Sequence, residues 1–314
     1  MRSRTHQAQA DPAGAAMCLL SAVGFGAMAI FGKLAYDAGV TTLTLLLVRF
    51  TFATAIFAAV LAVRPPVRGS LRSATRRTLA IGFLLGAIGY ATQAGLFFAA
   101  LQRLDASLLA LVLYTYPAWV MLASFAIGRE HPTRRRVVAL GLSSLGLVIL
   151  LLGAASGSLD PLGVVLGLGA ALAYTAYILV ADRFALDLHP LALTALVCAG
   201  AAGTFAVVGA LSGQLSTDFE PEGWLWLGLI APLSTALPIV LFFAGLARVG
   251  PSAASILSSA EPVVTVVLAY LAFGEVLSGA QLVGAALVLG AAVLLAAPAR
   301  TPEEVETLPL PAPA

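Results

Sequence analysis

The chain has 314 residues, 60% of them hydrophobic and only 10% charged, with a formal net charge of +2 and a mean hydropathy of +0.99. A soluble domain would carry about 25% charged residues, so the composition excludes one and defines a polytopic membrane protein. Ten crossings of about 20 apolar residues each would leave only short loops and tails, with no room for a folded domain outside the bilayer.

Residues 1–12 are polar, with Arg2, Arg4 and His6, and are expected to be a disordered cytoplasmic tail. The first predicted span, 13–35, has the basic start of a signal sequence. Its apolar part is too long for one and no small-residue cleavage site follows, so it reads as an uncleaved helix. Further spans are predicted at 42–63, 78–100, 107–127 and 137–154. A second set follows at 162–181, 191–211, 224–246, 251–273 and 278–297, and the Pro- and Glu-rich segment 298–314 reads as disordered. The fold expected is all-α, with ten transmembrane helices.

The ninth span holds Glu261 followed at once by Pro262. A carboxylate at the membrane centre costs roughly 2.5–3.5 kcal/mol on insertion scales. Proline removes a helix hydrogen bond and clashes with the preceding turn. Two unfavourable choices side by side point to a site, the plainer alternative being a kinked packing helix. The surrounding sequence also occurs twice. A shift of 145 places Phe97 on Phe242, Phe98 on Phe243, Leu101 on Leu246, Arg103 on Arg248, Ser107 on Ser252, Pro117 on Pro262 and Glu130 on Glu275, without a gap. The chain therefore reads as two copies of one unit, 13–154 and 162–297.

With the N-terminus placed in the cytoplasm, Lys33 and Arg103 fall outside and Arg49 lies within a span. Every other one of the 17 Lys and Arg residues falls on the inner side, including the 64–77 and 129–136 loops. The positive-inside rule then puts both termini in the cytoplasm of an inner membrane. An odd number of spans per copy forces the two copies into opposite senses. Inverted repeats of this kind build many secondary transporters, with the substrate site near the midplane.

The doubled pattern FFAALQRLDASLLALVLYTYP…E and FFAGLARVGPSAASILSSAEP…E, the ten spans and the cytoplasmic termini resemble the EamA branch of the drug/metabolite transporter superfamily. The resemblance covers about residues 13–297 and is strongest in the second half of each copy. It implies a ten-helix inverted-repeat carrier, usually an exporter of small metabolites such as amino acids. The recurring proline and glutamate carry over to Pro117 and Glu130 and to Pro262 and Glu275. Glu261 has Tyr116 as its counterpart, so that acid is not shared by both copies.

Glu261 leads the candidate substrate-binding residues, because a buried carboxylate can pair with a substrate ammonium or carry a transported proton. Ser258 and Thr265 fall near its stripe, with Ser255 and Ser259 alongside; a Ser-lined packing face is the alternative. Tyr114, Tyr116 and Trp119 surround Pro117 in the matching span. Tyr90 and Gln93 share a face of the third span, and Tyr174 and Tyr177 a face of the sixth. Arg49 can snorkel outward, pair with Glu261 or bind a substrate carboxylate. Pro117 and Pro262 are expected to kink their spans. Pro232 and Pro238, with Ser234 and Thr235 between them, predict a broken or bent eighth span.

Glu130 and Glu275 are expected to cap loops or pair with arginines. Gly82/Gly86 and Gly163/Gly167 predict close helix packing. Cys18 and Cys198 sit in apolar runs and predict no disulfide; no metal set, cofactor motif, nucleophile–base pair or nucleic-acid surface is present. The expected partners are a small-molecule substrate, membrane lipid and protons, in a monomer or homodimer. Efflux of aromatic or cationic drugs, and a non-transporting scaffold or sensor, are the alternatives.

Overall fold

The computed structural model describes residues 11–127, 134–154, 160–184, 188–249 and 260–296, together with Ala254, Leu257 and Ser258. Residues 1–10 and 298–314 of the predicted tails, Glu130, Ser255 and Ser259 lie outside the described residues, while Asp11 and Pro12, placed in the tail by the sequence, begin the first helix. Those described form helices joined by short turns, with no strand among them. Seven helical runs are long and apolar enough to cross a membrane, and Val137–Gly153, Glu261–Phe273 and Gly279–Ala291 are shorter apolar helices.

The first span is two helices, α1 (Pro12–Gly26) and α2 (Met28–Asp37), where a single helix was expected. Asp11 caps α1 by accepting from the Ala13 and Gly14 amides, ahead of a proline whose missing N–H costs nothing there. The second span is α3 (Thr42–Val63), begun by Thr41 accepting from the Thr44 amide. The basic 64–77 stretch is not a plain loop. It carries α4 (Pro65–Ser73), a short amphipathic helix with Val67 turned into the core.

The third span joins α5 (Arg76–Leu84) to α6 (Ala91–Leu101) through a π-helical segment, Leu85–Tyr90. The fourth span is broken at Tyr114 and Thr115 into α7 (Ala106–Leu113) and α8 (Tyr116–Ala126). Pro117 stands in the first turn of α8, so the proline opens a new half-helix instead of kinking a continuous one. Next come α9 (Arg134–Ala154), α10 (Pro161–Phe184) and α11 (Pro190–Ser212). The eighth span joins α12 (Pro221–Ala231) to α13 (Leu237–Val249) through a second π segment, Pro232–Ala236. Last are α14 (Glu261–Phe273), with Pro262 in its first turn, and α15 (Gly279–Ala296).

The two π segments share a position under the 145-residue shift, which carries Tyr90 onto Thr235. The eighth span therefore carries an inserted residue but is not broken, since the π segment joins its two helices without a gap. The extensive helix pairings are α9 with α15, α3 with α11, α1 with α13 and α10 with α6. At the crossing of the third span with α11, a Cβ on Gly86 would run into the Val197 carbonyl and one on Gly200 into the Phe83 carbonyl. Backbone meets backbone there, as the small-residue spacing predicts. The core is aromatic and aliphatic, with Phe50, Phe57, Phe98, Leu45 and Leu109 fully buried.

Candidate functional site

Glu261 stands at the first position of α14, on the break of the ninth span. Tyr114, on the break of the fourth, donates its hydroxyl to the Ser258 carbonyl at 2.8 Å and to Glu261 Oε2 at 3.2 Å. The two interrupted spans thus face each other, and the acid points into the protein. A half-helix N-terminus also favours an acidic group electrostatically. Ser258 contributes its carbonyl, while its hydroxyl turns back to the Ala254 carbonyl. Thr265, one turn beyond Glu261, donates to the Gly26 carbonyl at the break between α1 and α2.

From Tyr114 a row of rings crosses the interior. Tyr114 meets Tyr116 edge-on at 5.8 Å, and Tyr116 meets Tyr174 at 4.8 Å. Tyr174 stacks on Tyr177 at 6.1 Å, and Tyr177 lies 5.5 Å from Tyr90. Tyr90 then meets Phe50, which stacks on Phe205. Five of the seven tyrosines therefore form one continuous surface, each phenol offering an apolar face and a polar tip.

Arg49 closes the far end of the row. It is 1% exposed, so it does not snorkel, and no ion pair joins it to Glu261 among the described residues. Its Nε donates to Thr235 Oγ1 at 3.0 Å. Its guanidinium lies over the rings of Phe50 and Phe98, at 4.9 and 5.5 Å from the centroids, and faces the Tyr90 phenol. The residues that flank it, Tyr90 and Thr235, are the equivalent positions of the two π segments. Arg49 Nη2 and Ser234 Oγ are buried without a hydrogen-bond partner. A buried cation held by rings, the Thr235 hydroxyl and the Tyr90 phenol, with Nη2 unpaired, retains donor capacity for an anionic or polar guest.

Not every sequence candidate joins the row. Trp119 bonds Thr115 on its own helix at 3.2 Å, and Gln93 is buried on α6 without a ring contact. Pro238 serves through its carbonyl, which accepts from Ser21 at 2.8 Å. Thr235 was visible in the sequence only as part of a bend, because its partner Arg49 is 186 residues away.

Glu275 was expected to cap a loop or pair with an arginine. Its cation is Lys33, at 2.8 Å, and it caps the start of α7 by accepting from the Ala106 amide, the Ser107 amide and the Ser107 hydroxyl. Burial opposes its charge, but the bonds from Lys33 and from the Ser107 amide and hydroxyl outweigh that and hold its carboxyl below the usual 4.5. Lys33 is a residue the sequence reading left unused, although an isolated lysine inside an apolar run was the available signal. Beside this cluster opens a cavity of about 660 Å³, lined also by Tyr36, Arg103, Asp105 and Phe273.

Helical membrane runs around a buried row of polar and aromatic side chains define the class: a polytopic helical membrane protein. A model of the EamA-like transporter family matches residues 12–152 and again residues 161–297. An uncharacterized transporter of Archaeoglobus fulgidus is 31% identical over 281 residues, covering 87% of this chain and 93% of that one. Protein PecM of Dickeya dadantii is 28% identical over 210 residues, covering 64% of this chain and 68% of its own. A solved crystal structure superposes with a TM-score of 0.61 at 20% identity, over 90% of this chain and 96% of that one, a likeness of fold alone. The chain belongs to the EamA-like transporter family, within the drug/metabolite transporter superfamily.

Proposed function

We propose that the protein is a secondary transporter that exports small metabolites, amino acids or related amphipathic compounds, across the inner membrane. Its ten membrane helices form two inverted five-helix repeats, 13–154 and 162–297, with both termini cytoplasmic. It works by alternating access, as a monomer or homodimer, with no catalysed reaction and no ATP, since the sequence carries no nucleotide-binding motif. The helix pairing supports the inverted arrangement. Exchanging the copies turns the contact of the first span with the eighth into that of the sixth with the third. The second-with-seventh and fifth-with-tenth contacts map onto themselves.

The observation that carries the reading is Glu261 held by Tyr114 where the fourth and ninth spans are both interrupted, at the head of the tyrosine row that ends at Arg49. An ammonium can sit at the acid, a carboxylate or other acceptor at the guanidinium, and an apolar body against the rings. The substrate gradient or proton exchange at Glu261 supplies the driving force. A metabolite-accumulation screen of cells with and without overexpression, followed by counterflow on the hit, tests the function. Glu261→Gln in proteoliposomes tests the coupling: the pH dependence of flux is expected to vanish, and an unchanged dependence ends the proton role.

The acid beside five aromatic rings also favours a second reading, efflux of aromatic or cationic drugs. Competition by a quaternary ammonium, with none by amino acids, selects it. Absence of any flux together with tolerance of Glu261→Ala would select a non-transporting scaffold or sensor.

A further inference from the structure

The cluster around Glu275 joins the two copies at the face opposite the basic loops, the outer face in the orientation above. Gly274 ends α14 with φ +67°, a left-handed turn that glycine adopts freely. That turn throws Glu275 back toward the first copy. Its carboxylate then sits on the N-terminus of α7 and on Lys33 of α2, by the four contacts given above. The side chain is 8% exposed and Lys33 21% exposed, and both border the cavity of about 660 Å³. Water is therefore at hand to take over these bonds if the copies part.

Asp105 gives the arrangement its second state. It is the N-cap residue of α7, of a type that normally accepts from the first amides of its own helix. Its backbone already has the extended cap conformation, at φ −60° and ψ 143°, yet its side chain makes no cap bond. It lies instead 70% exposed and 3.8 Å from Lys33. Glu275 occupies the Ser107 amide, one of the two that an N-cap Asp105 would accept from. Two carboxylates, one from each copy, thus compete for one helix N-terminus, and α7 keeps a cap whichever of them holds it. Such an exchange has two discrete arrangements and keeps the Ser107 amide bonded in both, the Ala106 amide passing to water from the cavity on release.

We infer that Glu275 is a gating residue, a releasable latch that closes the outer mouth between α2, α7 and the end of α14, with Asp105 the standby cap that makes its release affordable. The inference rests on the alternating-access reading, because only relative motion of the copies calls for release.

The test uses the full chain with Cys18 and Cys198 replaced by alanine and spin labels on Gln102→Cys and Val276→Cys, two exposed sites flanking the mouth. Interspin distances are read without substrate. Glu275→Gln is expected to lose the short-distance population, and Ser107→Ala to lose part of it. Asp105→Ala, which leaves Glu275 as the sole cap, is expected to enrich that population. Opposite shifts from two acids at one site are what a competition demands. A folded, monodisperse protein whose distance distribution is unmoved by both Asp105→Ala and Ser107→Ala has a static staple there, and the gate is wrong. Those two variants suffice if Glu275→Gln fails to fold. Flux in the same variants separates the two ideas. Shifting distances without flux in the parent overturn the transport reading but not the latch, and flux across an unmoved mouth overturns the latch alone.

Discussion

Tyr114 gives one hydroxyl to two acceptors of the other copy, the Ser258 carbonyl and Glu261. A single O–H cannot be fully shared, so both bonds depend on the phenol staying where the broken span puts it. Tyr114→Phe keeps the ring and its contact with Tyr116 but strips both acceptors of their donor. Leaving a buried acceptor unsatisfied costs about 1–3 kcal/mol. A lower unfolding temperature in detergent is expected, together with reduced flux. Unchanged stability and unchanged flux would mean that this pair does no more than fill space. The row beyond it was legible only as separate pairs. Tyr90, Tyr174 and Tyr177 each sat on an identifiable helix face, but nothing in the spacing said that the third and sixth spans turn those faces toward each other.

At the scale of elements, the interruptions place the chemistry. Breaks at Tyr114–Thr115 and ahead of Glu261 expose half-helix ends, and the π segments deliver Tyr90 and Thr235 to Arg49. The prolines announced three of these interruptions, since Pro117 and Pro262 lie beside the two breaks and Pro232 opens the second π segment. The π segment at Leu85–Tyr90 contains no proline and had no local signal. What holds the third span in place is its crossing with α11. Gly86→Val would drive a side chain into the Val197 carbonyl, and overpacking of this kind costs roughly 1–3 kcal/mol or more. A sharp drop in folded, monodisperse protein on size exclusion is expected. Gly69→Val on α4, where a Cβ meets nothing within 4 Å, is expected to behave as the parent.

For the whole molecule, acid is the informative variable at the Lys33–Glu275 contact. The Glu275 carboxyl is held below 4.5 in the fold, so the folded state binds its proton less readily than the unfolded chain does. Its contribution to stability is fully present above about pH 4.5 and is lost as pH falls through the lower, folded value. Lys33 and Asp105 face it across the contact, and Arg103 across the cavity. Asp160 is also held below its usual 3.8, by the Arg103 hydrogen bond and the Gly163 and Leu162 amides. Unfolding temperature should therefore fall on acidification below about pH 4.5. Glu275→Gln should flatten part of that fall, with Asp160 supplying the remainder. An identical acid profile in Glu275→Gln would show that the carboxylate adds nothing to stability at this contact.

Hydropathy and the 145-residue internal match were enough to set the membrane class and the duplication, because burial in lipid and repeat length are properties of the linear chain. Thr235 beside Arg49, Tyr114 beneath Glu261 and Lys33 against Glu275 are properties of the packed molecule. Each joins residues more than a hundred positions apart. A side chain's direction across such a gap is fixed by how helices are bent, broken and rotated against one another, and no local periodicity records that rotation.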